Sequence, residues 1–195
     1  MIAIVDLGIG NFANVEKALQ GKVTLESGDV ESADKIVLPG VGNFGEVARK
    51  LDPLRETILR KINTGTPFLG ICLGMQLLFP SSTEGKGRGL GVIAGEVTSL
   101  PDEAAPHIGW NQVFPEGDDP LLADIQPGSF FYFVHSYRVI PETDEIVTAK
   151  TRYEVDGNLM EFPSAVRKKN VFGVQFHPEK SSKNGLAVLK TFKQL

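Results

Sequence analysis

The chain has 195 residues, 42% of them hydrophobic and 23% charged, which is the composition of an ordinary globular protein. Its net charge of −4 at pH 7 argues against a nucleic-acid surface, and no apolar run is long enough to cross a bilayer. The single cysteine excludes an internal disulfide and fits a reducing compartment, so we expect a cytoplasmic protein in which residues 1–195 form one domain.

The first half of the chain alternates strand and helix patterns. Short apolar runs predict strands at 2–7, 22–27, 35–40 and 67–72. Amphipathic spacing predicts helices at 11–20, 43–51 and 52–63, the last with Pro53 in its first turn. Continuous apolar strands that alternate with such helices indicate a parallel sheet with helices on both faces.

The second half has the pattern of short antiparallel strands. These β patterns occur at 89–100, 130–140, 145–154, 164–170 and 171–177. Loops are expected at 80–91 and 115–120, and a closing helix at 184–195. The expected class is therefore α/β: an open, mixed, mainly parallel central sheet with flanking helices and additional antiparallel strands in the second half.

Cys72 lies in the sequence Gly-Ile-Cys-Leu-Gly, where a buried strand should turn sharply into a helix. A tight, strained turn of this kind requires small neighbours, because larger side chains would collide. Such a turn lifts a nucleophile clear of the sheet, and the start of the next helix favours an anion. The backbone N–H of Leu73 would then point towards a developing oxyanion. Cys72 is therefore a candidate nucleophile, and a buried structural cysteine is the alternative.

His177 is the candidate base for that nucleophile. It ends the strand predicted at 171–177 and is followed by Pro178 and Glu179. Residues two apart on an extended segment share a face, so Glu179 can hold one ring nitrogen and leave the other for the thiol. Gln76, one helical turn after Cys72, should face the same mouth. The alternatives are a structural histidine and an exposed helical glutamine.

These motifs resemble the class I, or triad-type, glutamine amidotransferase family. The resemblance is carried by Cys72 in GICLGMQLL, by HPE at 177–179, and by PGVG at 39–42, which is similar to that family's oxyanion strand. It covers essentially the whole chain, with the motifs in family order. Within the family, the stretches PGVGNFGE, PHIGWNQV, YFVHSYRV and FPSAVRKKNVFGVQFHPEKSSKNG are similar to the glutaminase subunits of imidazole glycerol phosphate synthase.

The resemblance implies that glutamine is hydrolysed to glutamate and ammonia through a γ-glutamyl thioester on Cys72. In that reaction His177 transfers protons and Glu179 orients it. The backbone N–H of Val41 is implied as the second oxyanion donor beside that of Leu73. Family position also implies a set of residues that line the glutamine pocket: Gly42, Gln76, Glu84, His135, Ser136 and Tyr137.

The resemblance also implies a partner that consumes the ammonia. This partner is the cyclase subunit, a (β/α)8 barrel that makes imidazole glycerol phosphate. Trp110 and Lys180 are implied to lie at the interface with it, near the ammonia exit. An indole and a lysine can form a cation–π pair, so we expect these two side chains to act together as a gate. Trp110 as an ordinary core residue is the alternative.

Other motifs do not complete a recognisable site. DLGIGN lacks the third glycine of a dinucleotide fingerprint, GKGRGLG lacks the hydroxyl residue of a P-loop, and no His, Cys and acidic cluster has metal-ligand spacing. We therefore expect no cofactor and no metal. Three alternatives stay open: another amidotransferase subunit, such as that of pyridoxal phosphate synthase, an unrelated Cys-His hydrolase, and a non-enzymatic binding or regulatory module.

Overall fold

A computed structural model describes residues 1–8, 13–155 and 157–195. Within those residues, the strands are β1 (Ile2–Val5), β2 (Lys22–Thr24), β3 (Lys35–Gly40), β4 (Phe68–Cys72), β5 (Gly95–Ser99), β6 (His107–Pro115), β7 (Ser129–His135), β8 (Tyr137–Pro141), β9 (Val147–Val155), β10 (Asn158–Lys168) and β11 (Val171–Val174). The α-helices of the same residues are α1 (Ala13–Leu19), α2 (Ser27–Ser32), α3 (Phe44–Asn63), α4 (Leu73–Gln76) and α5 (Ser182–Gln194). Among these helices, none has both the length and the apolarity that crossing a membrane needs.

Most of the strands belong to one mixed sheet. Its order is β2-β1-β3-β4-β11-β10-β9-β6-β7, whereas β5 and β8 form a separate two-stranded ribbon. Five neighbouring strands pair in parallel, in the order β2, β1, β3, β4 and β11. The remaining strands, β10, β9, β6 and β7, extend the sheet with antiparallel pairs. The predicted fold class is confirmed: a mixed α/β protein whose second half supplies the antiparallel strands.

The central strands β3 and β4 are buried on both faces, which explains their continuous apolar sequences. Ile36 and Leu38 point into the core layer that α3 covers. Val37 and Leu69 point into the opposite layer, which α5 covers. Successive residues of a strand face opposite ways, so a strand between two helical layers needs an apolar side chain at every position.

Helix α3 is one element where the sequence predicted two, at 43–51 and 52–63. Proline inside a helix removes one backbone hydrogen bond and costs about 3 kcal/mol, so a break at Pro53 was the expected outcome. An unbroken stripe of buried residues crosses the proline and holds the two halves in line: Val47, Leu51, Leu54 and Ile58. Arg55 also donates to the Ala48 carbonyl, one turn before the proline (3.4 Å).

Other boundaries differ from expectation. The segment 130–140 is two strands, because β7 pairs with β6 while β8 leaves the large sheet to pair with β5. Strand β6 and helix α2 were not predicted. The inward face of β6 carries the polar His107 and Asn111, whereas the apolar Ile108 and Trp110 face outwards. This is the reverse of the usual pattern of a strand, in which apolar side chains point inwards. The helix expected at 11–20 is described from Ala13 onwards as α1; residues 9–12, including part of DLGIGN, lie outside the described residues.

The sheet brings the ends of β3 and β4 together. Gly40 pairs with Cys72, the last residue of β4, so that Val41 follows directly beside the cysteine. Ligands of open α/β sheets bind at this carboxyl edge of the parallel strands. The two segments that carry the expected oxyanion donors are therefore neighbours at that edge.

Candidate active site

Cys72 forms the sharp turn between β4 and α4. Its backbone has φ 53° and ψ −109°, a left-handed conformation that costs strain in a residue with a side chain. A Cβ at Gly70 would lie 2.4 Å from the Gly74 carbonyl oxygen, and one at Gly74 would lie 1.7 Å from that of Leu38. Both glycines are thus required by close backbone contacts, which is the arrangement that a nucleophile elbow needs.

A cavity of about 260 Å³ opens beside the cysteine. It is lined by Val41, Gly42, Cys72, Leu73, Gln76, Glu84, Pro106, Val134, His135, Ser136 and Tyr137. The set contains both residues expected at the oxyanion hole and every residue expected to bind substrate. Only Pro106 and Val134 were not singled out in the sequence. The cavity therefore collects residues from five separate segments of the chain around one thiol.

His177 and Glu179 form a buried pair next to this cavity. The Nδ1 atom of His177 lies 2.8 Å from Oε1 of Glu179, and both side chains are more than nine-tenths buried. The local geometry differs from the extended segment that was expected, because β11 ends at Val174 and a 3₁₀ turn covers Pro178–Lys180. The turn places Glu179 beneath the imidazole ring. The two side chains are therefore brought together by a turn and not by an extended strand.

The backbone of His177 is fixed to strand β7. Its N–H donates to the Tyr132 carbonyl (2.9 Å). The Ser181 hydroxyl donates to the His177 carbonyl (2.6 Å) and accepts from the Tyr132 N–H (2.9 Å). Both backbone groups of Tyr132 are therefore bonded to the segment that carries the histidine.

The electrostatics of the pair favour a charged imidazole. Burial alone would lower the pKa of His177, but the neighbouring Cys72 sulfur and the Glu179 carboxylate outweigh burial and raise that pKa to about 10. The Nε2 atom of His177 is buried and makes no hydrogen bond within the described residues. Since Glu179 occupies Nδ1, Nε2 is the ring nitrogen that is left for proton exchange. Neither His177 nor Glu179 is among the residues that line the cavity, so the pair acts on the cavity through the Cys72 sulfur.

Gln76 and Glu84 each have part of their hydrogen-bonding capacity already in use. The amide nitrogen of Gln76 donates to the Tyr137 carbonyl (3.0 Å) and to Oε1 of Gln175 (3.1 Å). Oε2 of Glu84 accepts from the Phe44 N–H at the start of α3 (2.6 Å). Burial raises the pKa of Glu84, and this N–H partly opposes the shift. What each offers the cavity is an oxygen acceptor.

His135 lies at the end of a directed chain of hydrogen bonds. Its Nδ1 donates to the Tyr137 carbonyl (2.8 Å), so its Nε2 must accept, and the donor is Nδ1 of His107 (3.0 Å). Nε2 of His107 in turn accepts from the amide of Asn111 (3.2 Å), which also donates to the Arg152 carbonyl. Burial lowers the pKa of His135 to about 3 and that of His107 to about 4. Both rings are neutral at pH 7, with fixed tautomers.

Trp110 and Lys180 lie outside the cavity and do not stack on each other, contrary to the pairing expected from the sequence. The Lys180 ammonium sits over the ring of Tyr132, 5.8 Å from its centroid, and Trp110 meets the same ring edge-on at 6.2 Å. Tyr132 stands between them because it is directly opposite Trp110 in the β6–β7 pair. Trp110 is 52% exposed, which excludes a core role.

Three residues near the site were missed in the sequence: Gln175, Ser181 and His107. Gln175 is fully buried and its Nε2 lies 3.5 Å from the Cys72 sulfur. A signal for it was present, since a glutamine within the apolar run VFGVQF is unusual and stands two positions before His177. Ser181 and His107 act through contacts distant in sequence, which a local pattern does not reveal.

The comparisons with known proteins identify the family of the chain. The family model described as glutamine amidotransferase class-I matches residues 12–194. A relative from Pyrococcus furiosus, named imidazole glycerol phosphate synthase subunit HisH, is 55% identical over the whole chain and 98% of its own length. Proteins with the same name from Methanocaldococcus jannaschii and Aquifex aeolicus are 48% and 46% identical, over at least 95% of both chains.

Solved structures support the fold. PurLQS from Thermotoga maritima superposes with a TM-score of 0.74 at 20% identity, over 98% of this chain and 96% of that one. A structure of a glutamine amidotransferase gives a TM-score of 0.73 at 16% identity, over 98% of both chains. The architecture, the cavity at the Cys72 turn and the family match lead to one conclusion: this chain belongs to the class-I glutamine amidotransferase family.

Proposed function

We propose that the chain is the glutaminase subunit of imidazole glycerol phosphate synthase, the name that its relatives carry. Residues 1–195 act as one amidotransferase domain that converts glutamine and water to glutamate and ammonia. The observation that carries this proposal is the cavity in which Cys72 meets every residue expected to bind glutamine. The buried His177–Glu179 pair beside it supplies the proton chemistry.

The first half of the reaction forms a thioester on Cys72. The sulfur attacks the side-chain amide carbon of glutamine, a C–S bond forms, and the carbonyl electron pair moves onto oxygen. Nε2 of His177 gives its proton to the amide nitrogen, the C–N bond breaks, and ammonia leaves. The raised pKa of His177 supports this role, because the ring already holds the proton that the leaving group needs.

The second half restores the enzyme with water. The now neutral His177 takes a proton from a water molecule, whose oxygen attacks the thioester carbon. The C–S bond breaks, the new γ-carboxylic acid loses its proton to solvent and leaves as glutamate, and Cys72 and His177 return to thiolate and imidazolium. Throughout, Glu179 accepts from Nδ1–H, which keeps Nε2 as the nitrogen that exchanges protons.

The oxyanion of both tetrahedral intermediates is held by backbone N–H groups of Leu73 and Val41 in this proposal. Leu73 begins α4 directly after the nucleophile, and Val41 follows the β3 residue that pairs with Cys72. Gly40 and Gly42 flank Val41, and Gly42 has a φ of 107°. Glycines on both sides allow the Val41 peptide to rotate, so the second donor can be gained or lost by a peptide flip.

The acceptors on the cavity wall fit the α-ammonium group of glutamine. Gln76 uses its amide nitrogen within the protein, which leaves the carbonyl oxygen for substrate. Glu84 uses one oxygen on Phe44, which leaves the other. His135, Ser136 and Tyr137 complete the wall, and the neutral, tautomerically fixed His135 adds no charge.

We propose a docking face on β6 and β7 for the cyclase subunit, a (β/α)8 barrel. We define this docking face as Ile108, Trp110, Phe130 and Tyr132; the first three are more than half exposed. Large apolar side chains that stay in solvent at neighbouring positions mark interaction surfaces. The face leads to Val134, which lines the cavity, so a partner seated here would receive ammonia without its passing through bulk water. The reaction belongs in the cytoplasm, where a reducing environment keeps Cys72 free.

A glutaminase assay with the purified chain and its cyclase partner tests the function. We expect glutamate and ammonia from the wild type, and none above background from Cys72→Ala. The same Cys72→Ala complex should still make product from added ammonia, because the partner's chemistry does not use the thiol. Wild-type glutamate formation by Cys72→Ala would contradict the nucleophile assignment, and no glutamate from the wild-type complex would contradict the function.

A further inference from the structure

Gln175 is a polar side chain that touches the nucleophile from inside the protein. It is completely buried and is not part of the cavity wall. Its Nε2 lies 3.5 Å from the sulfur of Cys72, and its Oε1 lies 3.1 Å from Nε2 of Gln76. A buried amide costs free energy unless it is hydrogen-bonded, so these two contacts are what allow a glutamine to stand here.

The direction of the contact with sulfur follows from one backbone carbonyl. The Tyr137 oxygen can only accept, so the Gln76 atom 3.0 Å from it must be the NH₂ group. That NH₂ group also faces Gln175, which must therefore present its oxygen to Gln76. The NH₂ group of Gln175 is then left facing the sulfur. Turning either amide over would set two donors or two acceptors against each other.

Besides the His177 ring, whose pKa it raises, the Cys72 sulfur has two polar contacts, and these two favour opposite protonation states. The Val134 carbonyl, 3.8 Å away, can only accept, and so it pairs with a thiol S–H. The Gln175 amide can only donate, and so it pairs best with a thiolate, which is a stronger acceptor than a thiol. The donor is the closer of the two contacts.

We propose that Gln175 is a positioning residue that holds the Cys72 sulfur as a thiolate by donating a hydrogen bond to it, and that Gln76 fixes the direction of this bond. The proposal deepens, and rests on, the proposed role of Cys72 as nucleophile. It gives Gln76 a second task, because the residue that offers its carbonyl oxygen to substrate also orients the amide behind the thiol.

The pH dependence of Cys72 alkylation tests the proposal. Cys72 is the only cysteine, so the rate of reaction of the whole chain with iodoacetamide reports on this sulfur alone. Gln175→Met keeps the bulk of the side chain and removes the donor. In this variant we expect the midpoint pH of alkylation to rise by about one unit, so that well below the midpoint the thiolate fraction is about tenfold smaller than in the wild type. In the nearly isosteric Gln175→Glu, the rise should be larger, because a carboxylate would face the thiolate.

Val174→Ala is the matched control, since Val174 is a fully buried neighbour on β11 without a polar contact to the sulfur. It should lower the melting temperature and leave the alkylation midpoint unchanged. In the glutaminase assay, Gln175→Met should lower kcat far more than it changes KM, because Gln175 does not line the cavity.

The alkylation is measured without glutamine, so it is independent of whether glutamine proves to be the substrate. A midpoint that stays at the wild-type value in both folded Gln175 variants would overturn the proposal, as would an equal rise in Val174→Ala. If Gln175→Met is too unstable to measure, Gln175→Glu alone decides, because it preserves the shape of the side chain.

Discussion

At the scale of single residues, the site combines a strained cysteine, the proposed nucleophile, with a rigidly held histidine, the proposed base. Cys72 keeps a left-handed backbone that costs about 1–3 kcal/mol in most surroundings. Gly74 lies so close to the Leu38 carbonyl that any side chain at position 74 would collide with it. The position of the sulfur is therefore set by the backbone. The pKa of the imidazole is set by burial, which lowers it, and by Cys72 and Glu179, which raise it.

The first residue-scale prediction separates proton transfer from orientation. We expect His177→Asn to lower kcat for glutamine hydrolysis by roughly 10³-fold or more, nearly as much as loss of the thiol, because the residues act as a unit. Glu179→Gln should retain more activity, with a loss of roughly 10- to 100-fold, since Glu179 orients the ring and exchanges no proton.

Steady-state kinetics of the complex measure both effects, and Glu154→Gln, at an exposed carboxylate, is the control. If Glu179→Gln matched the wild type, the pair of Cys72 and His177 would be a dyad. Ammonia-dependent synthesis should remain normal in every variant, which shows that the partner's own chemistry is intact.

At the scale of elements, the active site depends on how a short turn is attached to an edge strand. The turn Pro178–Lys180 holds Glu179 beneath His177. The Ser181 hydroxyl joins this segment to β7, because it donates to the His177 carbonyl and accepts from the Tyr132 N–H. A serine hydroxyl that both donates and accepts is the smallest group able to bridge a backbone carbonyl and a backbone N–H in this way.

Ser181→Ala should weaken this attachment. It leaves the Tyr132 N–H without its partner, which we expect to cost about 1–3 kcal/mol of unfolding free energy. Because the His177 carbonyl also loses a bond, kcat should fall several-fold with little change in KM. Asn184→Ala is the matched control: Asn184 bonds to Phe130 of the same strand but not to His177, so kcat should hold. Chemical denaturation and glutaminase kinetics measure the two quantities; equal kcat in both variants would contradict the argument.

Some features of these elements could be predicted from the sequence, and others could not. The Cys72 turn was predictable because its requirement for glycine is local. The fold class followed from the alternation of patterns, but the single helix across Pro53 did not, since packing against the core decided it. His177 and Glu179 were expected to meet, although by a different backbone path. Gln175 could have been noticed as a glutamine within an apolar run, but its contact with Cys72, 103 positions away, could not be predicted from local sequence.

At the scale of the whole molecule, the proposed docking face lies on β6 and β7, and Val134 of β7 also lines the cavity. Tyr132 joins them: its ring lies between Lys180 and Trp110, and its backbone is bonded to the His177 segment. A partner that moved this ring would therefore act on the strand that positions the catalytic base.

The prediction at this scale concerns the transfer of ammonia. Lys180→Ala should allow ammonia to escape, so that glutamate forms in excess over the cyclised product, because it removes the cation over Tyr132 that we propose as part of the gate. Trp110→Ala should weaken the complex by about tenfold or more, as exposed tryptophans at interfaces do.

The ratio of glutamate to cyclised product and the Kd of the complex are the measurements. Leu25→Ala serves as the control, because Leu25 is equally exposed but follows β2 at the opposite edge of the sheet. A ratio of one and an unchanged Kd in both test variants would show that Lys180 and Trp110 have no part in delivery.

Strand β7 ends the large sheet, and an uncovered strand of this kind is a template on which other chains can aggregate. Here that edge is blocked: the Phe130 carbonyl accepts from Asn184, and both backbone groups of Tyr132 are bonded to His177 and Ser181. The segment that carries His177, the proposed base, thus also covers part of this edge, and we expect it to hinder self-association. We expect substitutions that loosen this segment to reduce solubility as well as turnover. In such variants the cause of aggregation is an exposed strand edge and not a damaged core.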